Sequence, residues 1–130
     1  MPLTRIASGG EISRSMLAFK RVIGESDNVE TMIFDEIDTG ISGKTALTVG
    51  RKLREIAEHH QIICITHLPQ IAAGGQDNYL ITKSIENNSS HTEITHLDEQ
   101  GKIRMVATLF SGSTDANALE AAAELINKCQ

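Results

Sequence analysis

The sequence predicts an α/β fold with a parallel sheet core, flanking helices and a small antiparallel hairpin. Three observations predict it. Two short apolar runs, Met32 to Phe34 and Ile62 to Thr66, each stop abruptly at polar residues, as strands buried in a parallel sheet do. Apolar residues at helical spacing lie between them, so the two runs read as parallel strands joined by a crossover helix. Beyond them, two strand-like stretches flank the turn Asn87 to Ser90, which reads as a hairpin.

Taken in order, Met1 to Ala7 is a leading segment. A first helix is predicted from Gly9 to about Ile23, with Ile12, Met16, Leu17 and Ile23 as its apolar positions, closed by Gly24 and the polar run Glu25 to Asn28. The first strand follows at about Val29 to Phe34 and is expected to be buried on both faces. Ala46, Val49, Gly50, Leu53, Ile56 and Ala57 then recur with helical period, giving a helix from about Lys44 to His59. The second strand starts after only Gln61, too close for any connection but the helix itself. Pro69 to Ala73 begins a short helix that Gly74 and Gly75 close. Tyr79 to Glu86 and Thr92 to Leu97 make the hairpin, Asp98 to Gly101 a turn, and Ile103 to Phe110 a helical piece. Asp115 is placed to cap a last helix whose Leu119, Ala122, Ala123 and Ile126 share a stripe.

The chain has 130 residues, enough for one domain with a real core. Hydrophobic residues at 40% and charged residues at 22% fit an ordinary globular protein, and aromatics at 3% make the core aliphatic. No stretch approaches the roughly 20 apolar residues that span a bilayer, and Met1 to Gly10 lacks the apolar centre of a secretory signal. A cytoplasmic protein with no membrane partner is therefore expected. Cys64 lies within a predicted strand and Cys129 at the chain end, which argues against a structural disulfide. No metal-ligand spacing joins Cys64 to His59, His60 or His67. The net charge of −5 argues against direct nucleic-acid binding by this segment, because phosphate neutralisation requires Lys and Arg. The one basic cluster, Arg51, Lys52 and Arg54, shares its helix with Glu55 and Glu58 and reads as a solvated face.

The chemistry is expected where the apolar runs end. Asp35 and Glu36 follow the first strand directly, and in open parallel sheets the ligand lies beyond the carboxyl ends of the strands. Successive side chains leave a strand in opposite directions, so one acid can face a metal and the other a water. A nucleotide triphosphatase needs both functions, which assigns Asp35 to Mg²⁺ and Glu36 to the attacking water. An acid pair serving only a turn is the plainer alternative for these two residues taken alone.

Upstream, Ser8, Gly9, Gly10 and Glu11 stand at the start of the first predicted helix. Ser-x-x-Glu is a capping box and explains Ser8 and Glu11 without a ligand. It leaves the two glycines unexplained, since each weakens a first turn by about 1 kcal/mol relative to alanine. They suit close approach of a phosphate to a bare helix terminus. Downstream, His67 follows the second strand, where it can donate to a phosphate oxygen, hold a water, or serve as an ordinary loop histidine.

Gly43, Lys44 and Thr45 imitate the end of a phosphate-binding P-loop. The full motif needs a glycine where this chain has Asp38, and the carboxylates of Asp35, Glu36 and Asp38 would repel a polyphosphate. No P-loop is present.

SGGE, then an apolar run ending in DE, then a loop resembling a D-loop, then an apolar run ending in TH, taken in that order, resembles the second half of an ABC-type ATPase head. The wording IASGGEISR, MIFDEIDTGISG and ICITHLPQIAA resembles the SMC-like branch and, within it, the RecN family of bacterial DNA repair proteins. The resemblance covers the chain nearly end to end. It implies that residues 1–130 are the C-terminal lobe of a P-loop ABC/SMC-type ATPase head, carrying signature motif, Walker B, D-loop and switch histidine. It also implies that the N-terminal P-loop half and a coiled coil are missing here. On this resemblance, Ser8, Gly9, Gly10 and Glu11 would contact ATP held by an opposing head, while Asp35, Glu36 and His67 would serve the ATP and Mg²⁺ of their own. The D-loop departs from the common pattern by placing Ser42 where an aspartate is usual, so Ser42 is the residue expected near the nucleotide there. Further implications are a homodimer through ATP-sandwiched heads, double-stranded DNA held by the full-length assembly, a nucleoid-associated location, and an inactive isolated fragment.

Two other functions compete. The nucleotide-binding domain of an ABC transporter would continue after the acid pair with proline and then serine or threonine, whereas this chain has Ile37 and Asp38. A non-catalytic dimerisation or scaffolding lobe would not need Asp35, Glu36 and His67 together.

Overall fold

The computed structural model describes residues 28–35 and 37–130. The first strand, β1 (Thr31–Phe34), leads through a loop to helix α1 (Gly43–Ala57) and the second strand, β2 (Gln61–Cys64). A short helix, α2 (Pro69–Ala72), precedes the hairpin of β3 (Tyr79–Glu86) and β4 (Ser89–His96), and α3 (Glu99–Ser111) and α4 (Ala116–Cys129) complete the chain.

β1 and β2 pair in parallel with Thr31 opposite Gln61 and Phe34 opposite Cys64. Polar contacts fix the register at the start of the pair. The Gln61 N–H donates to Glu30 O at 2.8 Å, the Thr31 hydroxyl donates to Gln61 Oε1 at 2.9 Å, and His60 Nδ1 lies 2.5 Å from Val29 O. A slip of one residue would also turn Met32 and Phe34 away from the core.

α1 begins where Ser42, in extended backbone, accepts from the Thr45 N–H. Its buried residues Ala46, Val49, Gly50, Leu53 and Ile56 follow the expected stripe. They pack with Met32, Phe34, Ile37 and Ile71 into one apolar cluster. Each large aliphatic side chain so buried contributes roughly 1.5–3 kcal/mol. The expectation of a strand covered on both faces does not hold among the described residues. β1 alternates between exposed and buried positions, and Ile33, Ile63 and Ile65 remain 67%, 45% and 46% exposed. The described sheet has helices packed on one side only, so the period-two alternation of side chains sends this row outward.

A second cluster joins Val106 and Ala107 of α3, Ala118, Ala122 and Ile126 of α4, and Ala73. α3 starts four residues earlier than the apolar pattern indicates. Asp98 accepts from the Gly101 N–H at 2.6 Å, so the predicted turn is the capped first turn of the helix. The helix closes at Gly112, whose φ of +71° is the left-handed conformation that glycine adopts without a Cβ penalty. Asp115 caps α4 as expected, accepting from the Ala118 N–H at 2.8 Å. Between the clusters, the Arg54 guanidinium donates to the carbonyl of Cys129. The Lys102 ammonium, itself buried, donates to Gly75 O at 2.5 Å.

The hairpin turn is tighter than the four residues expected. Asn87 and Asn88 alone make it, with φ of 51° and 61°, and Glu86 pairs with Ser89. Two positive φ values suit the right-handed twist of a two-residue hairpin, and asparagine tolerates them.

Candidate functional site

β1 and β2 end level with each other. Beyond the Phe34–Cys64 pair, the Ile65 N–H donates to Phe34 O at 2.9 Å, so Asp35 and the Thr66–His67 dipeptide leave the sheet at one carboxyl edge. Asp35 is exposed there. Glu36, Ser8, Gly9, Gly10 and Glu11 lie outside the described residues. Ser42 stands at the far end of the same loop, where its hydroxyl caps α1 through the Thr45 N–H at 3.4 Å and approaches the Thr45 hydroxyl at 3.3 Å. Gly43 to Thr45 form the first residues of α1, with Gly43 against the Gln70 side chain.

The loop from β1 is held down by two neighbours of Glu36 in sequence. Ile37 is fully buried in the first apolar cluster. Asp38 is only 4% exposed, yet it is well satisfied. Its Oδ2 accepts from the Thr66 hydroxyl at 2.5 Å and from the His67 N–H at 2.9 Å, and lies 3.2 Å from His67 Nδ1. The Thr66 oxygen in turn accepts from the Leu68 N–H at 3.1 Å. Burial alone would raise the Asp38 carboxyl, but the Thr66 hydroxyl, the His67 N–H and the His67 ring outweigh it and hold the group below its ordinary value. The carboxylate thus joins the loop after β1 to the end of β2.

Asp38 is the residue that sequence reading overlooked at this site. It entered that reading only as the misfit in a P-loop pattern, and followed by Thr39 and Gly40 it looks like a turn acid. Its contacts with Thr66 and His67 span 28 and 29 positions, and no local pattern reports a pairing of that length.

Cys64, the last residue of β2, sits behind this network. Its thiol is pushed up to about 12 by burial, with the nearby carboxylates of Asp38 and Asp35 adding to the effect. The thiolate fraction near pH 8 is then lower than that of an ordinary cysteine by roughly a thousandfold. Iodoacetamide should label Cys64 at least about a hundred times more slowly in native than in unfolded protein. Peptide mass spectrometry over a time course checks this, and equal rates would contradict the described burial.

Comparison with known proteins gives consistent results. No family model matches the chain. It is 43% identical to DNA repair protein RecN of Haemophilus influenzae over 112 residues, covering 86% of this chain and 20% of that protein. RecN of Treponema pallidum is 43% identical over 126 residues, covering 96% and 22%. RecN of Bacillus subtilis is 37% identical over 110 residues, covering 85% and 19%. The chain therefore spans about a fifth of the length of the curated relatives it matches. Among solved structures, it is similar to a chain from a study of the structural biochemistry of ATP-driven dimerization and DNA-stimulated activation of SMC ATPases. That likeness has a TM-score of 0.57 at 21% identity and covers 85% of this chain and 66% of the other. Among the described residues, no helix is long and apolar enough to cross a membrane.

Proposed function

We propose that this chain, 43% identical over most of its length to the RecN proteins and similar in fold to an SMC ATPase chain, is the C-terminal lobe of such a head and supplies part of an ATPase site in a DNA repair protein. The observation that carries this reading is the common edge at which Asp35 and His67 leave the parallel strands. A nucleotide-hydrolysing site of this kind needs a metal-holding carboxylate and a group near the terminal phosphate at the mouth of one crevice.

The donor set suits the metal. Mg²⁺ takes oxygen ligands and keeps several waters, so one exposed carboxylate at a strand end is sufficient protein support. Asp35 would hold it, and when bound it supplies neutralisation of phosphate charge. Glu36 would orient and deprotonate the attacking water. His67 would present its ring to the terminal phosphate or to that water. Ser8, Gly9, Gly10 and Glu11 would offer a phosphate-binding helix start to nucleotide held by a second head, with Ser42 near the junction. Hydrolysis would then require two heads, each completed by a P-loop half that this stretch lacks. Double-stranded DNA would be bound by the full assembly, consistent with the acidic balance of this segment.

Producing this chain together with the P-loop half of the same protein tests the reading. Neither piece alone should hydrolyse MgATP, and the pair should do so with a rate that rises more steeply than linearly in protein concentration. Turnover by this chain alone, or none by a soluble stoichiometric pair, would overturn it.

A further inference from the structure

The Asp38 contact has a chemical consequence for His67. We propose that Asp38 is a positioning residue for the histidine, holding a proton on Nδ1 so that Nε2 turns its lone pair to the attacking water and donates to a phosphate oxygen only when the ring is protonated. The inference deepens the ATPase reading and rests on it for the identity of what Nε2 meets.

A neutral imidazole carries one N–H and one lone pair, and the partner of one nitrogen decides which is which. Asp38 Oδ2 lies 3.2 Å from Nδ1. An ionised carboxylate only accepts, so Nδ1 must be the donor. The same oxygen takes the Thr66 hydroxyl and the His67 backbone N–H, which leaves the carboxylate little freedom to turn away. The side chains are exposed very unequally, 76% for the histidine and 2% for the aspartate. The carboxylate is therefore a buried fixture, and the ring it anchors projects into the open edge where Asp35 also emerges. A carboxylate behind a histidine in this way fixes tautomer and orientation and stabilises any positive charge the ring acquires. Asp38 touches no reacting atom in this scheme and acts entirely through the ring.

The test uses the full-length protein with ¹⁵N-labelled histidine, the His67 signals being those absent in His67→Gln. Imidazole nitrogen shifts are recorded at about pH 8.5, well above the ordinary histidine value of roughly 6.5. In the parent protein Nδ1 should carry the proton. Asp38→Ala, which leaves no acceptor opposite Nδ1, should move the ring toward the Nε2–H form that free imidazole favours, and lower kcat by about tenfold or more with KM little changed. Thr66→Val separates positioning from general support of the loop: it removes one bond to the same carboxylate but should leave the proton on Nδ1.

A parent protein with the proton on Nε2, or an Asp38→Ala protein with unchanged tautomer, would overturn the proposal. If Asp38→Ala does not fold, the parent tautomer decides alone. If the tautomer shifts and turnover does not, Asp38 still positions the ring, but the part given to His67 in hydrolysis fails. The two readings therefore fail separately.

Discussion

Full-length protein carrying Glu36→Gln should bind MgATP, pair its heads and stall there, with turnover reduced on the order of 10²–10³-fold. Glutamine keeps the length and shape of glutamate, so binding contacts persist. It cannot accept a proton from water, so the step that depends on a base is the one lost. Steady-state phosphate release gives the rate, and size-exclusion chromatography in ATP gives the accumulated dimer. A large fall in kcat with unimpaired nucleotide affinity is the expected pattern, since the removed interaction acts in the transition state. Unchanged turnover would refute the role given to Glu36. A fall in turnover without dimer accumulation would instead separate hydrolysis from head pairing.

Ile37→Ala should cost about 2–5 kcal/mol of local stability and much of the activity, although the side chain touches no nucleotide. Ile37 is fully buried and packs in the cluster of Met32, Phe34, Ala46 and Val49. Its place between Glu36 and Asp38 makes it the apolar anchor of the loop that carries both. Removing three carbons leaves a cavity that neighbouring side chains fill only partly. Ile37→Val deletes one methylene and should cost about 0.5–1.5 kcal/mol, with turnover nearly intact. Hydrogen exchange of the β1 and β2 amides measures the loss where it occurs, avoiding the assumption that a large protein unfolds in one step. Exchange protection in the alanine variant equal to the parent's would show that the loop is held by something other than this contact.

Much of this architecture is legible from residue order. Helix α1 and strands β1 and β2 were marked by period and by abrupt polar endings, and the level ends of the two strands brought Asp35 and His67 to one edge. The cap at Asp115 was equally plain, because an acid before an apolar stripe has few other uses. Asp98 was read as a turn instead, since Gly101 and Lys102 look polar and flexible in sequence. In the structure both are buried, Gly101 against Leu97 and Lys102 with its ammonium on Gly75 O, and burial rather than propensity makes them helical. Strand exposure was misread for a related reason. Apolar identity shows that Ile33, Ile63 and Ile65 suit a covered surface, but it does not show whether the cover lies within these residues. The Asp38–His67 contact was hidden because it depends on the pairing of two strands and on nothing within either.

Among the described residues the apolar interior divides into two clusters, linked through the short helix α2 and the Arg54–Cys129 contact, and this has a consequence for anyone altering several residues at once. Energetic effects of changes in different clusters should simply sum, because sites without shared neighbours are close to independent. Pairs of changes within one cluster should depart from that sum. A combinatorial library built on this chain would thus sort into two epistatic blocks, with Arg54 the position whose replacement alters how either block responds to the other.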